Sequence, residues 1–270
     1  MSSSKPIPKW TTSRIQAMKG KRRISSLTAY DCTTAKLIDE AGIHIILVGD
    51  SLGMTVLGYD STIPVTLDQM IHHTAAVSRG VQSAMVIGDM PFLSYQASLE
   101  QAITNAGRLL KDGAADAVKI EGGEFRAPAI EALVQNGIPV MGHIGLTPQS
   151  VKAFGGYKVQ GRETEQADQL RRDALALEEA GAFAMVLECM PADLSGEITE
   201  SLSIPTLGIG AGPKCDGQIL VVSDMLGMFT DFTPKFVKKY ANLGEQMQKV
   251  FKRYNQDVSD GSFPGPDNWY

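Results

Sequence analysis

Three cysteines in 270 residues (Cys32, Cys189 and Cys215) are odd in number and too scattered for a disulfide framework or a zinc-type pairing. What remains is reduced thiols in a cytoplasmic protein. No apolar run approaches the roughly 20 residues of a membrane helix. The opening MSSSKPIPKW lacks the apolar stretch of a secretory signal. Positive charge is not in excess either. With 25 basic and 30 acidic residues the formal net charge is −5, which argues against general nucleic-acid binding, although a local basic pocket stays open. No GxGxxG follows the first apolar run, against a dinucleotide-binding fold. No linker, low-complexity tract or long charge run divides the chain, so residues 1–270 read as a single catalytic domain with a short polar leader and a C-terminal helical extension.

What is present is alternation. Hydrophobic residues make up 43 % and charged residues 20 %, enough for a large core. Short apolar or β-branched runs predict strands over Ile24–Ala29, His44–Gly49, Ala84–Gly88, Ala117–Glu121, Pro139–Gly142, Ala184–Glu188, Thr206–Gly210 and Ile219–Ser223. Amphipathic segments between them predict helices over Thr34–Ala41, Leu67–Arg79, Leu99–Lys111, Ala127–Gln135, Glu165–Ala180 and Leu194–Ser201. A short helix over Thr11–Lys19 precedes them, and Lys235–Arg253 reads as one or more helices at the end. Gly42, Gly80, Gly113, Gly137 and Gly181 stand where helices close in a left-handed residue. Strands alternating with helices imply a parallel sheet, and eight of them in a chain near the usual length of about 250 residues suit a closed (β/α)8 barrel. Gly145–Arg162 is too long and glycine-rich for a simple connection and reads as a loop over the barrel mouth.

Barrel chemistry sits at the C-terminal strand ends. There the apolar runs finish in Asp50, Asp89, Lys119 with Glu121, His143 and Glu188. One acid after a strand often only starts a turn, but a closed barrel brings successive ends together. With neighbouring strands about 4.8 Å apart, Asp50, Asp89 and Glu121 form a prospective acidic arc. Lys119 and Glu121, two apart, share the inner face. Converging carboxylates need a cation between them, and oxygen donors favour a hard ion such as magnesium. The alternative is a salt-bridge network with Lys119 or Arg162. Glu188 is a candidate general base, with a structural hydrogen-bonding role equally open. His143 is either a donor to an anionic substrate or a satisfied structural residue. Gly208–Gly212 (GIGAG) lacks a basic neighbour before Lys214, so tight packing is preferred to a phosphate loop. His72 and His73 do not share a helix face, and Met85 and Met141 read as core.

The blocks TAYD (Thr28–Asp31), LVGDSLGM (Leu47–Met54), GYDSTIPVT (Gly58–Thr66), VKIEGG (Val118–Gly123), GHIGLTPQS (Gly142–Ser150), FGGYKVQGR (Phe154–Arg162), LECMP (Leu187–Pro191), GIGAG and DGQILV (Asp216–Val221) keep order and spacing from about Ile24 to Val222. Together they resemble the ketopantoate hydroxymethyltransferases. The resemblance implies a (β/α)8 TIM barrel of the phosphoenolpyruvate mutase/isocitrate lyase kind. It implies a cytoplasmic enzyme of pantothenate and coenzyme A biosynthesis, using 3-methyl-2-oxobutanoate and, as co-substrate, 5,10-methylenetetrahydrofolate. It further implies Mg2+ held by Asp50, Asp89 and Glu121, keto-acid contacts from Asp50, Ser51, Asp89, Lys119 and His143, and Glu188 as proton acceptor. It implies a homo-oligomer, often a decamer, with no nucleic-acid or membrane partner. Two rivals are a related Mg-dependent 2-oxo-acid lyase or mutase barrel, and a catalytically dead barrel kept for binding.

Overall fold

The computed structural model describes residues 8–229 and 233–270. Most of the polar leader lies outside them. Eight parallel strands close in sequence order into a barrel: β1 (Ile24–Thr28), β2 (Ile45–Val48), β3 (Met85–Asp89), β4 (Ala117–Glu121), β5 (Val140–Gly145), β6 (Ala184–Glu188), β7 (Thr206–Ile209) and β8 (Gly217–Leu220). The helices are α1 (Thr12–Gln16), α2 (Cys32–Glu40), α3 (Leu52–Thr55), α4 (Leu67–Gly80), α5 (Leu99–Lys111), α6 (Ala127–Gln135), α7 (Val151–Phe154), α8 (Thr164–Glu179), α9 (Ala192–Ser201), α10 (Val222–Met225) and α11 (Leu243–Ser259). The chain divides into two compact units, Met1–Val221 with the barrel and Val222–Tyr270 with α10 and α11.

Strand periodicity decides what fills the barrel. Ile45 and Leu47, Met85 and Ile87, Ala117, Met141, Ala184 and Val186, Leu207 and Ile219 belong to one buried cluster. Ile15 and Met18, from and just after α1, join the same cluster as Ile24, Phe183 and the first interior residues of the strands, so α1 plugs the N-terminal end. Continuing the two-residue step from Ile87, Ala117, Met141 and Val186 reaches Asp89, Lys119 with Glu121, His143 and Glu188. The residues that close the core and those that carry charge are thus in one phase.

Several boundaries differ from the sequence expectation for identifiable reasons. α2 begins two residues early because the Asp31 side chain accepts from the Thr34 N–H at 2.8 Å and caps it. β5 runs past Gly142 to Gly145, because His143 and Gly145 still pair with Val186 and Glu188 of β6. β8 lies two residues earlier than expected; Gly217 passes so close to β1 that an added Cβ would stand 2.4 Å from the Ile24 carbonyl oxygen. Ser223 falls in α10 instead. The helix expected over Lys235–Arg253 begins only at Leu243 and continues to Ser259. Gly42, Gly137 and Gly181 are left-handed as expected, whereas Gly80 and Gly113 are not. At Gly80 a Cβ would lie 2.3 Å from the Cys32 carbonyl oxygen, so this glycine allows α4 to cross the start of α2.

Candidate active site

Asp50 follows β2, Asp89 ends β3, and Lys119 stands opposite Asp89 in the β3–β4 register. Glu121 stands opposite His143, and Glu188 ends β6. Asp50, Asp89, Lys119, Glu121 and His143 are all buried, while the Glu188 side chain keeps 15 % exposure. Asp89 and Glu121 are not adjacent around the arc, because Lys119 comes between them. Its ammonium lies 2.9 Å from Asp89 Oδ1, 3.5 Å from Glu121 Oε1 and 3.1 Å from His143 Nδ1. Lys119 is the donor to His143 Nδ1 only while that nitrogen carries no proton. The imidazole continues the chain, with Nε2 3.1 Å from Glu188 Oε2. Lys119 therefore supplies the expected salt-bridge alternative in part; Arg162 lies exposed.

Burial pushes the Asp50 carboxyl well above the usual carboxylate range, and the charges of Asp89 and Glu121 add to it. Asp89 is also raised, by burial against the pull of Lys119. For Glu121 burial acts in the same direction, but Lys119 and His143 outweigh it and hold the group low. Lys119 is held protonated by Asp89 and Glu121 although burial opposes this. Burial and Lys119 disfavour a second proton on His143, yet Glu121 and Glu188 prevail and raise it to about 9. Three carboxylates around one ammonium leave an excess of negative charge, which a proton on Asp50 or His143, or a metal ion, would offset.

The donors are oxygens and the charge is negative, the combination that suits a hard divalent cation. Asp50 and Asp89 are the pair left with raised proton affinity, and they sit side by side: the Asp50 N–H donates to Asp89 Oδ2 at 3.2 Å. No three His, Cys, Asp or Glu side chains among the described residues close around one point by themselves. A cation here would complete its shell with substrate or water.

Ser51 Oγ shares a hydrogen bond with Tyr30 Oη at 2.9 Å. Two further residues were absent from the sequence-based set. Gln149, in the turn after β5, donates from its side chain to Asp50 Oδ2 at 2.9 Å and from its backbone to Glu121 Oε2 at 3.0 Å. Tyr95 Oη accepts the Glu121 N–H at 3.2 Å and stands 2.9 Å from Gln149 Oε1. The only sequence signal was a glutamine within the GHIGLTPQS block. Further along the same loop, the Gln160 N–H donates to the Cys189 carbonyl at 2.9 Å. Burial and the Glu188 charge push the Cys189 thiol up to about 12, which leaves it without thiolate character near neutral pH. GIGAG is packed against its own turn and α9: a Cβ on Gly208 would meet Cys215 Sγ at 2.9 Å, and one on Gly212 the Ala192 Cβ at 2.4 Å. His73 Nδ1 is bonded to the Tyr30 carbonyl at 2.7 Å, away from the strand-end cluster.

Solved structures with the same fold include a phosphonopyruvate hydrolase in complex with oxalate and Mg2+, with TM-score 0.62 and 17 % identity, covering 96 % of this chain and 93 % of that one. They also include a 2,3-dimethylmalate lyase of the PEP mutase/isocitrate lyase superfamily, with TM-score 0.62 and 18 % identity, covering 97 % and 88 %. At these identities they establish the barrel alone. Sequence relatives are far closer. The 3-methyl-2-oxobutanoate hydroxymethyltransferase of Enterococcus faecalis is 60 % identical over 248 residues, 92 % of this chain and 90 % of that protein. That of Syntrophus aciditrophicus is 55 % identical over 269 residues, 99 % of each. A family model described as ketopantoate hydroxymethyltransferase matches residues 9–266. With the strand-end acids in place and identity this high across the barrel, the chain belongs to the ketopantoate hydroxymethyltransferase family of enzymes.

Proposed function

We propose that this enzyme transfers a hydroxymethyl group from 5,10-methylenetetrahydrofolate to 3-methyl-2-oxobutanoate, giving 2-dehydropantoate and tetrahydrofolate on the route to pantothenate. The observation that carries the reading is the row of charged side chains from Glu188 past His143 and Lys119 to Asp89, each within 3.1 Å of the next, in a chain of this family. Asp50 and Asp89 would hold a magnesium ion, with Glu121 completing its surroundings. A bound magnesium would act as a Lewis acid on the keto acid, polarising its carbonyl and acidifying the neighbouring C–H.

The protein's own groups divide the remaining work. Lys119 and His143 present positive charge and a donor to the substrate's anionic oxygens, with Ser51 at the edge of the site. Lys119 stabilises the enolate oxygen as charge develops there. Glu188 accepts the proton from the substrate carbon. It is suited to this because it ends β6 beside the buried cluster, with His143 Nε2 3.1 Å from one of its carboxylate oxygens. The enolate carbon then forms a bond to the folate's methylene carbon; the C–N bonds to that carbon break, water supplies the product hydroxyl, and tetrahydrofolate leaves. The same reading carries a cytoplasmic homo-oligomer, a decamer by the family's habit, which light scattering on the purified protein would size.

The test is product formation with and without the folate. 2-Dehydropantoate forming only when 5,10-methylenetetrahydrofolate is present supports the transferase. Robust carbon–carbon cleavage without folate would instead make this a lyase of the kind seen among its structural neighbours. Turnover in Glu188→Gln equal to the unaltered enzyme would point to a barrel whose strand-end residues no longer catalyse.

A further inference from the structure

Gln149 is only 4 % exposed, yet it belongs to neither barrel strand nor helix shell. It sits in the short turn Pro148–Ser150, carried there by Gly145, whose φ of 91° turns the chain back over the strand ends. The Leu146 N–H anchors this turn to the Glu188 carbonyl at 2.9 Å. The side-chain amide has all its capacity used. Nε2 donates to Asp50 Oδ2 and to the Met90 carbonyl, each at 2.9 Å. Oε1 faces Tyr95 Oη at 2.9 Å and Gln96 Nε2 at 3.3 Å. Turning the amide over would set its oxygen against a carboxylate and a carbonyl, so the neighbours determine its orientation.

We propose that Gln149 is a positioning residue for the acid pair: its side chain holds Asp50 Oδ2, its backbone N–H holds Glu121 Oε2, and Tyr95 locks the amide in the sense that allows both. The proposal rests on the reading of Asp50 as a metal- and keto-acid-binding carboxylate, but its geometric core does not. Two like-charged side chains from different strands are each tied by one oxygen to a single residue. Glu121 has a second tether, from Lys119 to its Oε1 at 3.5 Å, so loss of Gln149 falls first on Asp50. Without its tether the Asp50 carboxylate is free to turn away from the other acids, so an incoming cation would have to order it as it binds. A neutral amide is the group for this position. A carboxylate there would add a like charge, and an alkyl or thioether side chain would leave the oxygen of Asp50 and the hydroxyl of Tyr95 without their partner.

The experiment compares Gln149→Met, which keeps the chain length, Gln149→Glu, which adds charge, and Tyr95→Phe with the full-length enzyme. Mn2+ is the metal probe, followed by electron paramagnetic resonance, and 3-methyl-2-oxobutanoate affinity is read by calorimetry. Losing one hydrogen bond to a charged acceptor predicts binding weaker by about tenfold for Gln149→Met, more for Gln149→Glu and less for Tyr95→Phe. At saturating metal and keto acid, exchange of the substrate C–H with solvent should fall less than threefold, a split between binding and turnover that loss of stability alone does not produce. Metal and keto-acid binding within twofold of the unaltered enzyme in Gln149→Met would overturn the proposal. An Asp50→Asn control separates the two levels: normal Mn2+ binding in that variant sinks the reading of Asp50, not the role of Gln149. That role is then decided by a crystal structure of Gln149→Met. An Asp50 carboxylate turned or split between rotamers supports it, and one in the original pose contradicts it.

Discussion

Lys119 shows how much one residue can settle. It is buried with its ammonium facing Asp89, Glu121 and His143, so one side chain on β4 links the ends of β3 and β5. Asp89→Asn removes one anionic ligand from the candidate magnesium pair, and should weaken both magnesium dependence and keto-acid affinity by about tenfold or more; a metal titration unchanged in this variant would count against the pairing with Asp50. A second acid tests stability rather than catalysis. Asp39 accepts from the backbone N–H groups of Gln82, Ser83 and Ala84 and from the Ser83 hydroxyl. Burial alone would raise its pKa, but these donors outweigh it and the group is held low. A lowered folded-state pKa means the stabilisation is present above the unfolded value near 3.9 and is lost as pH falls through the folded one. Asp39→Asn should therefore cost about 2 kcal/mol at pH 7 by denaturant unfolding, with the gap to the parent closing below about pH 4. At this scale Asp89, Lys119, Glu121 and Glu188 were readable from sequence, since they continue the two-residue step of the core positions beneath them; Asp50, out of step with Ile45 and Leu47, was readable only as an acid after an apolar run. Gln149 and Tyr95 were not, because their places depend on loop paths that no periodicity describes.

Elements place these side chains. β4 and β6 have the expected bounds because each is an apolar run ending in an acid on the inner face. β5 does not, because glycine at 142 looks like a terminator when read alone. In the barrel it gives room to Leu177 of α8, whose Cδ1 would lie 2.9 Å from an added Cβ. Gly80 and Gly113 were misread for the same reason: a glycine after a helix signals either a left-handed cap or a close approach, and only packing decides which. Gly145 is both. Its φ is 91° and a Cβ there would stand 2.2 Å from the Glu188 carbonyl oxygen. Gly145→Ala should displace the end of β6, lowering turnover by about tenfold or more with a stability loss of about 1–3 kcal/mol. Parent-like turnover in that variant would mean that Glu188 tolerates movement and that its placement is not critical.

Taken whole, the barrel separates stability at one end from chemistry at the other. α1 closes the N-terminal end with Ile15, which is fully buried, while the charged residues gather at the opposite strand ends. Ile15→Ala should cost about 3 kcal/mol in unfolding experiments and leave the Michaelis constant for the keto acid unchanged at room temperature; a shift in that constant would show the two ends to be coupled. Closure of eight strands in sequence order followed from the alternation of apolar runs and amphipathic segments. The seventh and eighth strands were harder to bound because the seven residues between Ile209 and Gly217 hold no helix to separate them. The central claim is that Glu188, at the top of β6, takes the proton that starts the reaction. It is tested most directly by nuclear magnetic resonance of 3-methyl-2-oxobutanoate in D2O with enzyme and Mg2+, without folate. The account predicts deuterium entering at the carbon beside the carbonyl with the parent enzyme, and a rate lower by about a hundredfold or more in Glu188→Gln with keto-acid binding retained. Exchange at the parent rate in that variant would contradict it and assign the proton to another base.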